Sequence, residues 1–355
     1  MKKKILIFLL TICLAIPGSL CLTACGGDNG TKGLTFMKVG GGYSVKVGTA
    51  TDAEIVIPAT YKNEPVVDIW KEAFKDCTFI TSVSIPDSVE SIGEAAFDGC
   101  TSLKTITIPN TVTNIGHGVV TNCTSLESIT TPMYPSMDIS YFFRTPSNSG
   151  IPESLKVVTI TKGTVLSDNA FNSCKNLTDI ILPSELTEIG EYAFKDCDSL
   201  TRIRIPAGVT NIDAGAFFSC SDLEKVYYDG TIESWCNIEF EKGTLGEYGT
   251  SNPMYSADEF YMYEAGTNSA YEVKNIVIPE TVTTIGKYQF DGFDNLESIV
   301  IPSTVTEICE GAFNLCYDLL NVYYTGTESQ WNAIDGHANA ERSGRTINYN
   351  FVPEA

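Results

Sequence analysis

The sequence predicts a β-rich solenoid, a stack of short parallel strands with capped ends, and three observations predict it. The stretch Leu103 to Thr124, LKTITIPNTVTNIGHGVVTNCT, recurs along most of the 355-residue chain, and its clearest copies start 23 residues apart. A fixed period of that length marks a repeat array, not a globular catalytic domain. Within the repeat, Leu103-Lys104-Thr105-Ile106-Thr107-Ile108 alternates apolar and polar residues, the period of a strand half buried against a core. A single unit has too little interior to bury those apolar residues alone, so neighbouring units must stack.

Each element of the repeat has a local reason. Pro109 ends the strand because proline has no amide hydrogen to give a ladder. Val112-Thr113-Asn114-Ile115-Gly116 carries two apolar residues three apart and then a glycine, which predicts a second short extended piece and a tight bend. The coil closes through Ala96-Phe97 with Cys100, or Ala193-Phe194 with Cys197, where the ring fills the interior. The Ile-Pro step or its equivalent recurs from Ile57-Pro58 to Tyr324-Thr325, which predicts about eleven coils and a stack roughly 50 Å long at the usual strand spacing.

These motifs resemble the BspA-type leucine-rich-repeat family of bacterial surface proteins. The resemblance rests on Ile205-Pro206 with Val209-Thr210-Asn211-Ile212, then Ala216-Phe217 and Cys220. It also rests on Val226-Tyr227-Tyr228-Asp229-Gly230-Thr231 before Trp235, and on Val322-Tyr323-Tyr324-Thr325-Gly326-Thr327 before Trp331. It spans about residues 34 to 335 and implies leucine-rich repeats of about 23 residues. It further implies adhesion to host matrix proteins, host cells or other microbes.

Taken in order, residues 1–24 read as a lipoprotein signal peptide: Lys2, Lys3 and Lys4, an apolar run from Ile5 to Ile16, then Leu22-Thr23-Ala24 before Cys25. Cleavage before Cys25 would leave its thiol to carry a diacylglyceryl group, a lipid anchor and the chain's one membrane contact. Residues 25–33 read as a flexible tether, 34–61 as an N-terminal cap and 62–325 as the solenoid, with insertions near 132–155 and 230–272. The first insertion is aromatic and proline-bearing, with packing over its own coil favoured over a binding tip. Residues 326–355 read as a C-terminal helix and tail, and Trp235 and Trp331 as the packed faces of two short helices.

The chain carries 44 acidic against 23 basic residues, a net charge of −21 that disfavours nucleic acid and anionic lipid as partners. Acids are scattered and no calcium-loop or zinc motif occurs, so no metal site and no cofactor is expected. Cys77, Cys100 and Cys123, then Cys174, Cys197 and Cys220, repeat at the coil spacing, with Cys316 in register and Phe293 at the same position elsewhere. A site that accepts either a thiol or a ring requires apolar volume, so these cysteines are expected as buried free thiols. Cys236 and Cys309 fall outside the ladder.

No nucleophile motif, phosphate loop or metalloprotease signature is present, and His117 and His337 have no motif partner, so no catalytic residue is assigned and an enzyme is not expected. What remains is a surface. The outward strand positions are hydroxyl-rich at the N-terminal end, whereas Arg202, Arg204, Lys225 and Tyr227, flanked by Asp179, form a local basic and aromatic patch. Arginine and tyrosine anchor many interfaces, which makes these five residues the candidate ligand-binding site. The alternative is that the charges only solvate the sheet. Expected partners are proteins or glycans of a host or of neighbouring microbes, with a non-adhesive envelope scaffold as a second reading. A glycan-binding accessory is the third, favoured where aromatic rings line one groove.

Overall fold

Each copy of the repeat forms one rung of a parallel stack in the computed structural model, which describes residues 29–134, 137–241, 251–264, 267–342 and 344–353. The rungs of the front face are β1 (Glu54–Val56), β2 (Ser82–Ser84), β3 (Thr105–Thr107), β4 (Ser128–Thr131), β5 (Val157–Ile160) and β6 (Asp179–Ile181). They continue as β7 (Arg202–Ile205), β8 (Lys225–Tyr228), β9 (Glu259–Tyr263), β10 (Asn275–Val277), β11 (Ser298–Ile301), β12 (Asn321–Tyr324) and β13 (Thr346–Asn348). The stack therefore has about 13 turns. Two rungs, β9 and β13, lie where the repeat signature is missing: one inside the second insertion, the other in the tail.

Equivalent residues sit in register, Ser128 against Thr105 and Ile129 against Ile106. All inward positions thereby coincide, and Ile106, Ile129, Ile203 and Val226 are buried. Pairs such as Ile92 with Ile115 and Ile189 with Ile212 form the back ladder. Gly93, Gly116 and Gly190, each following a back strand, answer to crowding between coils: a Cβ on Gly116 would lie 2.2 Å from the backbone nitrogen of Glu94.

The closing turns stack their phenylalanines face to face, with ring centroids 5.8 Å apart for Phe171 and Phe194 and 4.9 Å for Phe194 and Phe217. Two residues four apart in each turn adopt left-handed backbone, as at Tyr192 and Asp196, both with φ 55°. The nine described cysteines are free thiols, all buried except the partly exposed Cys309. The ladder thiols do more than fill space. Cys100 donates to the Phe74 carbonyl of the coil before it at 3.2 Å, and Cys197 to Phe171 and Cys220 to Phe194 repeat the contact at 3.2 and 3.1 Å.

Three short helices punctuate the array. In α1 (Ser140–Phe143), Phe142 and Phe143 are buried and the Val120 amide donates to the Phe142 carbonyl at 2.9 Å, so this part of the first insertion packs on its own coils. The helices α2 (Ile232–Cys236) and α3 (Glu328–Trp331) both start at capping boxes, Thr231 with Ser234 and Thr327 with Gln330. Their tryptophans are fully buried, with Trp235 donating to the Gln289 carbonyl and Trp331 to the Glu341 carboxylate, both at 2.9 Å. Near the last rung, Arg345 donates to the carbonyls of Leu319, Phe313, Cys316 and Ala340 at 2.9 to 3.2 Å, so that one side chain satisfies four backbone acceptors.

The front ladder is divided into three sheets: β1 to β6, β7 to β9 with the antiparallel strand Ala270–Glu272 beyond them, and β10 to β13. Among the described residues no ladder joins β6 to β7. The same two coils pair regularly at the back, Glu188 against Asn211 and Ile189 against Ile212, and at the closing turn, where the Phe194 amide donates to the Ala216 carbonyl at 2.8 Å. The stack is continuous behind a seam that opens only on the front.

Candidate binding surface

Parallel register carries residues far apart in sequence to one place on the front face. Arg202, Lys225 and Glu259 share one outward row, and Arg204, Tyr227 and Tyr261 share the next. Asp179 lies across the seam on β6. The five residues singled out from the sequence are therefore neighbours, and the four that line a cleft with Asp179 and Arg202 at its seam are joined there by residues the sequence did not single out. Cys25 lies outside the described residues.

The cleft has a volume of about 600 Å³ and is lined by Asp179, Arg202, Arg204, Tyr227, Asp229 and Tyr263 over a floor that includes Ile180, Ile181, Leu182, Ile203 and Pro206. That volume is within the range of small-molecule sites. Lys225 stands beside the cleft, not in its lining.

The patch is not net basic. Arg202 Nη2 donates to Asp179 Oδ1 at 2.9 Å across the seam, and Arg204 Nε donates to Asp229 Oδ1 at 2.7 Å. Lys225 Nζ donates to Glu259 Oε2 at 2.8 Å. Each cation counted from the sequence thus has its own carboxylate, two of them supplied by residues 25 and 34 positions further along the chain. The arginine side chains remain 53% and 61% exposed, so these pairs contribute little to stability and act chiefly to orient the guanidinium groups.

Aromatic rings complete the face. Tyr227 stacks on Tyr261 with centroids 5.0 Å apart and an interplanar angle of 21°, and Tyr263 lies 6.3 Å from Tyr227. The Arg204 guanidinium sits 4.6 Å over the Tyr263 ring. Tyr261 donates to Glu259 at 2.7 Å, which raises the tyrosine pKa, while hydrogen bonds from Lys225 and then Tyr261 hold the Glu259 carboxyl below its ordinary range. Burial raises the pKa of Tyr263.

Sequence reasoning missed Asp229, Glu259, Tyr261 and Tyr263. One signal for them existed: Glu259-Phe260-Tyr261-Met262-Tyr263 repeats the alternation of Lys225-Val226-Tyr227-Tyr228-Asp229, without an Ile-Pro step to announce a rung.

A profile described as the BspA type leucine-rich repeat region matches residues 67–162, 151–258 and 266–338, well over half of the sequence. The chain belongs to the BspA-type leucine-rich-repeat family. Among solved structures, a leucine-rich-repeat protein of T. pallidum is similar at 28% identity over 60% of this chain and 91% of that one, with a TM-score of 0.34. A leucine-rich cell surface protein of Faecalibacterium prausnitzii A2-165 is similar at 26% identity over 87% and 98%, also with a TM-score of 0.34. A leucine-rich-repeat protein of Bacteroides ovatus ATCC 8483 is 21% identical over 92% and 99%, with the same TM-score of 0.34. A search of the curated proteins returns no match. No helix among the described residues is long and apolar enough to cross a membrane.

Proposed function

We propose that this BspA-type repeat protein is displayed on a bacterial surface, tethered by a lipid on Cys25, and binds macromolecules presented by host cells or neighbouring microbes. The observation that carries the reading is the convergence of Arg202, Arg204, Tyr227 and Tyr263 on one cleft, while the rungs β2 to β4 present only serine and threonine outward. Solenoids offer continuous arrays of outward strand residues for contact, and here rungs β7 to β9 depart from the hydroxyl rungs β2 to β4. The reading is one of binding: the cleft brings paired charges and aromatic rings together on one outward face.

The surface location is supported by the family, and the similar F. prausnitzii protein is itself a leucine-rich cell surface protein. The anchor is supported by Leu22-Thr23-Ala24 before Cys25. Mass spectrometry of the membrane fraction tests it, with a diacylglyceryl-modified N-terminal Cys25 expected; an unmodified thiol there would remove the anchor.

The contact face is tested by measuring adhesion of the full chain, and of a variant carrying Arg202→Ala and Arg204→Ala, to host cells, matrix proteins and bacterial envelopes. Saturable adhesion that falls about tenfold or more in the variant is the expected result. Adhesion unchanged in the variant would move the contact elsewhere, and silence across all targets would favour a scaffold meeting only its own envelope.

A further inference from the structure

We infer that the cleft at the β6–β7 seam is a subsite for an uncharged saccharide chain. The inference rests on the binding face proposed above and names the ligand class that this face takes.

Charge excludes the other candidates first. Within the cleft the Asp179–Arg202 and Arg204–Asp229 pairs cancel, leaving no free cation for a sulfate, phosphate or carboxylate. An acidic ligand would have to displace a carboxylate already in place, against the field of a chain with net charge −21. A basic peptide would meet two fixed guanidinium groups. A neutral ligand pays neither cost.

Chemistry then selects among neutral ligands. Arg202 uses Nε and Nη2 on a single oxygen of Asp179, and guanidinium has five donors in a planar fork, so donors remain beside the carboxylate acceptors. A hydroxyl both donates and accepts, and neighbouring ring hydroxyls can bridge such adjacent donors and acceptors without disturbing the pair. The apolar C–H face of a pyranose matches the tyrosine walls, where Tyr227 is fixed by Tyr261 and Tyr263 by Arg204. Ile181, 37% exposed on the floor, extends that apolar contact. Strand-mounted side chains already locked by stacking and ion pairing lose little freedom on binding.

The test is titration of the full chain with linear neutral oligomers of glucose, mannose, galactose and N-acetylglucosamine, and in parallel with sulfated and sialylated oligomers. Saturable binding of at least one neutral oligomer is expected. It should weaken about tenfold in Tyr263→Ala and in Tyr227→Ala, and several-fold in Arg204→Lys, which keeps the charge but loses the planar fork. Between about 50 and 500 mM salt the affinity should change less than about twofold, as for a ligand without charge. A double variant Thr105→Ala with Thr107→Ala, on β3, should bind as the parent does, and matched melting temperatures establish that each variant is folded.

Binding confined to sulfated or sialylated oligomers, with steep salt dependence, would overturn the inference. So would failure to bind any oligomer. Adhesion to target surfaces before and after periodate, which cleaves vicinal diols, separates the two levels of the reading: adhesion that survives periodate and falls in Arg204→Ala keeps the binding face and assigns it a protein ligand. Absence of adhesion to untreated surfaces would remove the binding face itself.

Discussion

Rungs β2 to β4 and rungs β7 to β9 share an interior and differ in everything that faces out. Inside, both carry aliphatic or aromatic strand residues, stacked phenylalanines and thiols donating to the phenylalanine carbonyl of the preceding coil, as Cys123 does to Phe97 and Cys220 to Phe194. Outside, Ser82, Ser84, Thr105, Thr107, Ser128 and Thr130 stand against Arg202, Arg204, Lys225, Tyr227, Glu259 and Tyr261. Inward positions are constrained by close packing, where one methylene is felt. Outward positions are free to vary by about 1 kcal/mol in strand preference. A departure from bland hydroxyls is therefore information about what the surface meets, not about what holds it together.

The sharpest way to break the comparison is to cut the shared interior. Phe194→Ala is expected to destabilise by about 3–5 kcal/mol through the cavity it leaves. Phe97→Ala should cost less by about 0.5–1.5 kcal/mol, because Phe194 stacks on both Phe171 and Phe217, whereas Phe97 stacks on Phe74 and the next coil carries Val120 at the matching place. Chemical denaturation of both variants measures the difference. Equal losses would mean that the stacked rings add nothing beyond their volume.

The thiols probe the same interior without mutation. Burial pushes Cys123 and Cys220 up to about 12, so at pH 8 roughly one molecule in ten thousand would carry the reactive thiolate, about a thousandfold fewer than for an ordinary thiol near 9. Pulsed alkylation read by mass spectrometry should leave both unmodified in the native protein and label both on unfolding. Faster labelling of Cys220 would show that opening at the seam weakens the coils around it.

Replacing the outward face should do far less. A chain with Arg202→Thr and Arg204→Thr, dressed like the hydroxyl rungs, is expected to lose no more than about 1 kcal/mol of stability, because both ion pairs are more than half exposed on the arginine side at 53% and 61%. Thermal unfolding checks it. A loss of several kcal/mol would make the face a structural element and undo its reading as a binding surface.

The regular coils were legible because period and alternation are local: Ile106 and Ile108 announce a strand, and Pro109 its end. The rung β9 was hidden because Met262-Tyr263 stands where Ile-Pro would be, and β13 because Thr346-Ile347-Asn348 carries one apolar residue. Arg204 was visible but its neutralisation was not, since Asp229 becomes a partner only when β7 and β8 are laid in register. The seam left no trace at all. Both flanking coils carry the proline that ends the strand, the Ala-Phe pair and the ladder cysteine, and the opening depends on backbone pairing that no residue type encodes.

The smallest effect concerns the back of the same coils. Asp213 occupies the position that Gly116 holds among the hydroxyl rungs, after the back-strand isoleucine. Partial burial, then the carboxylates of Glu241, Glu188, Asp168 and Glu191, raise its pKa from the ordinary 3.8 to about 6. The folded state therefore holds this proton more tightly than the unfolded chain does. The resulting stabilisation is complete below about pH 4 and is lost as pH rises through about 6. Asp213→Asn should raise the melting temperature at pH 7.5 and leave it unchanged below pH 4, by less than about 1 kcal/mol because solvent screens a partly exposed group. Gly116→Asp, the reverse exchange, should be far worse, since even a Cβ there meets Glu94 at 2.2 Å. If Asp213→Asn instead gains nothing at pH 7.5, the acidic back face relaxes its own repulsion, and the coils behind the seam are more pliable than those behind β2 to β4.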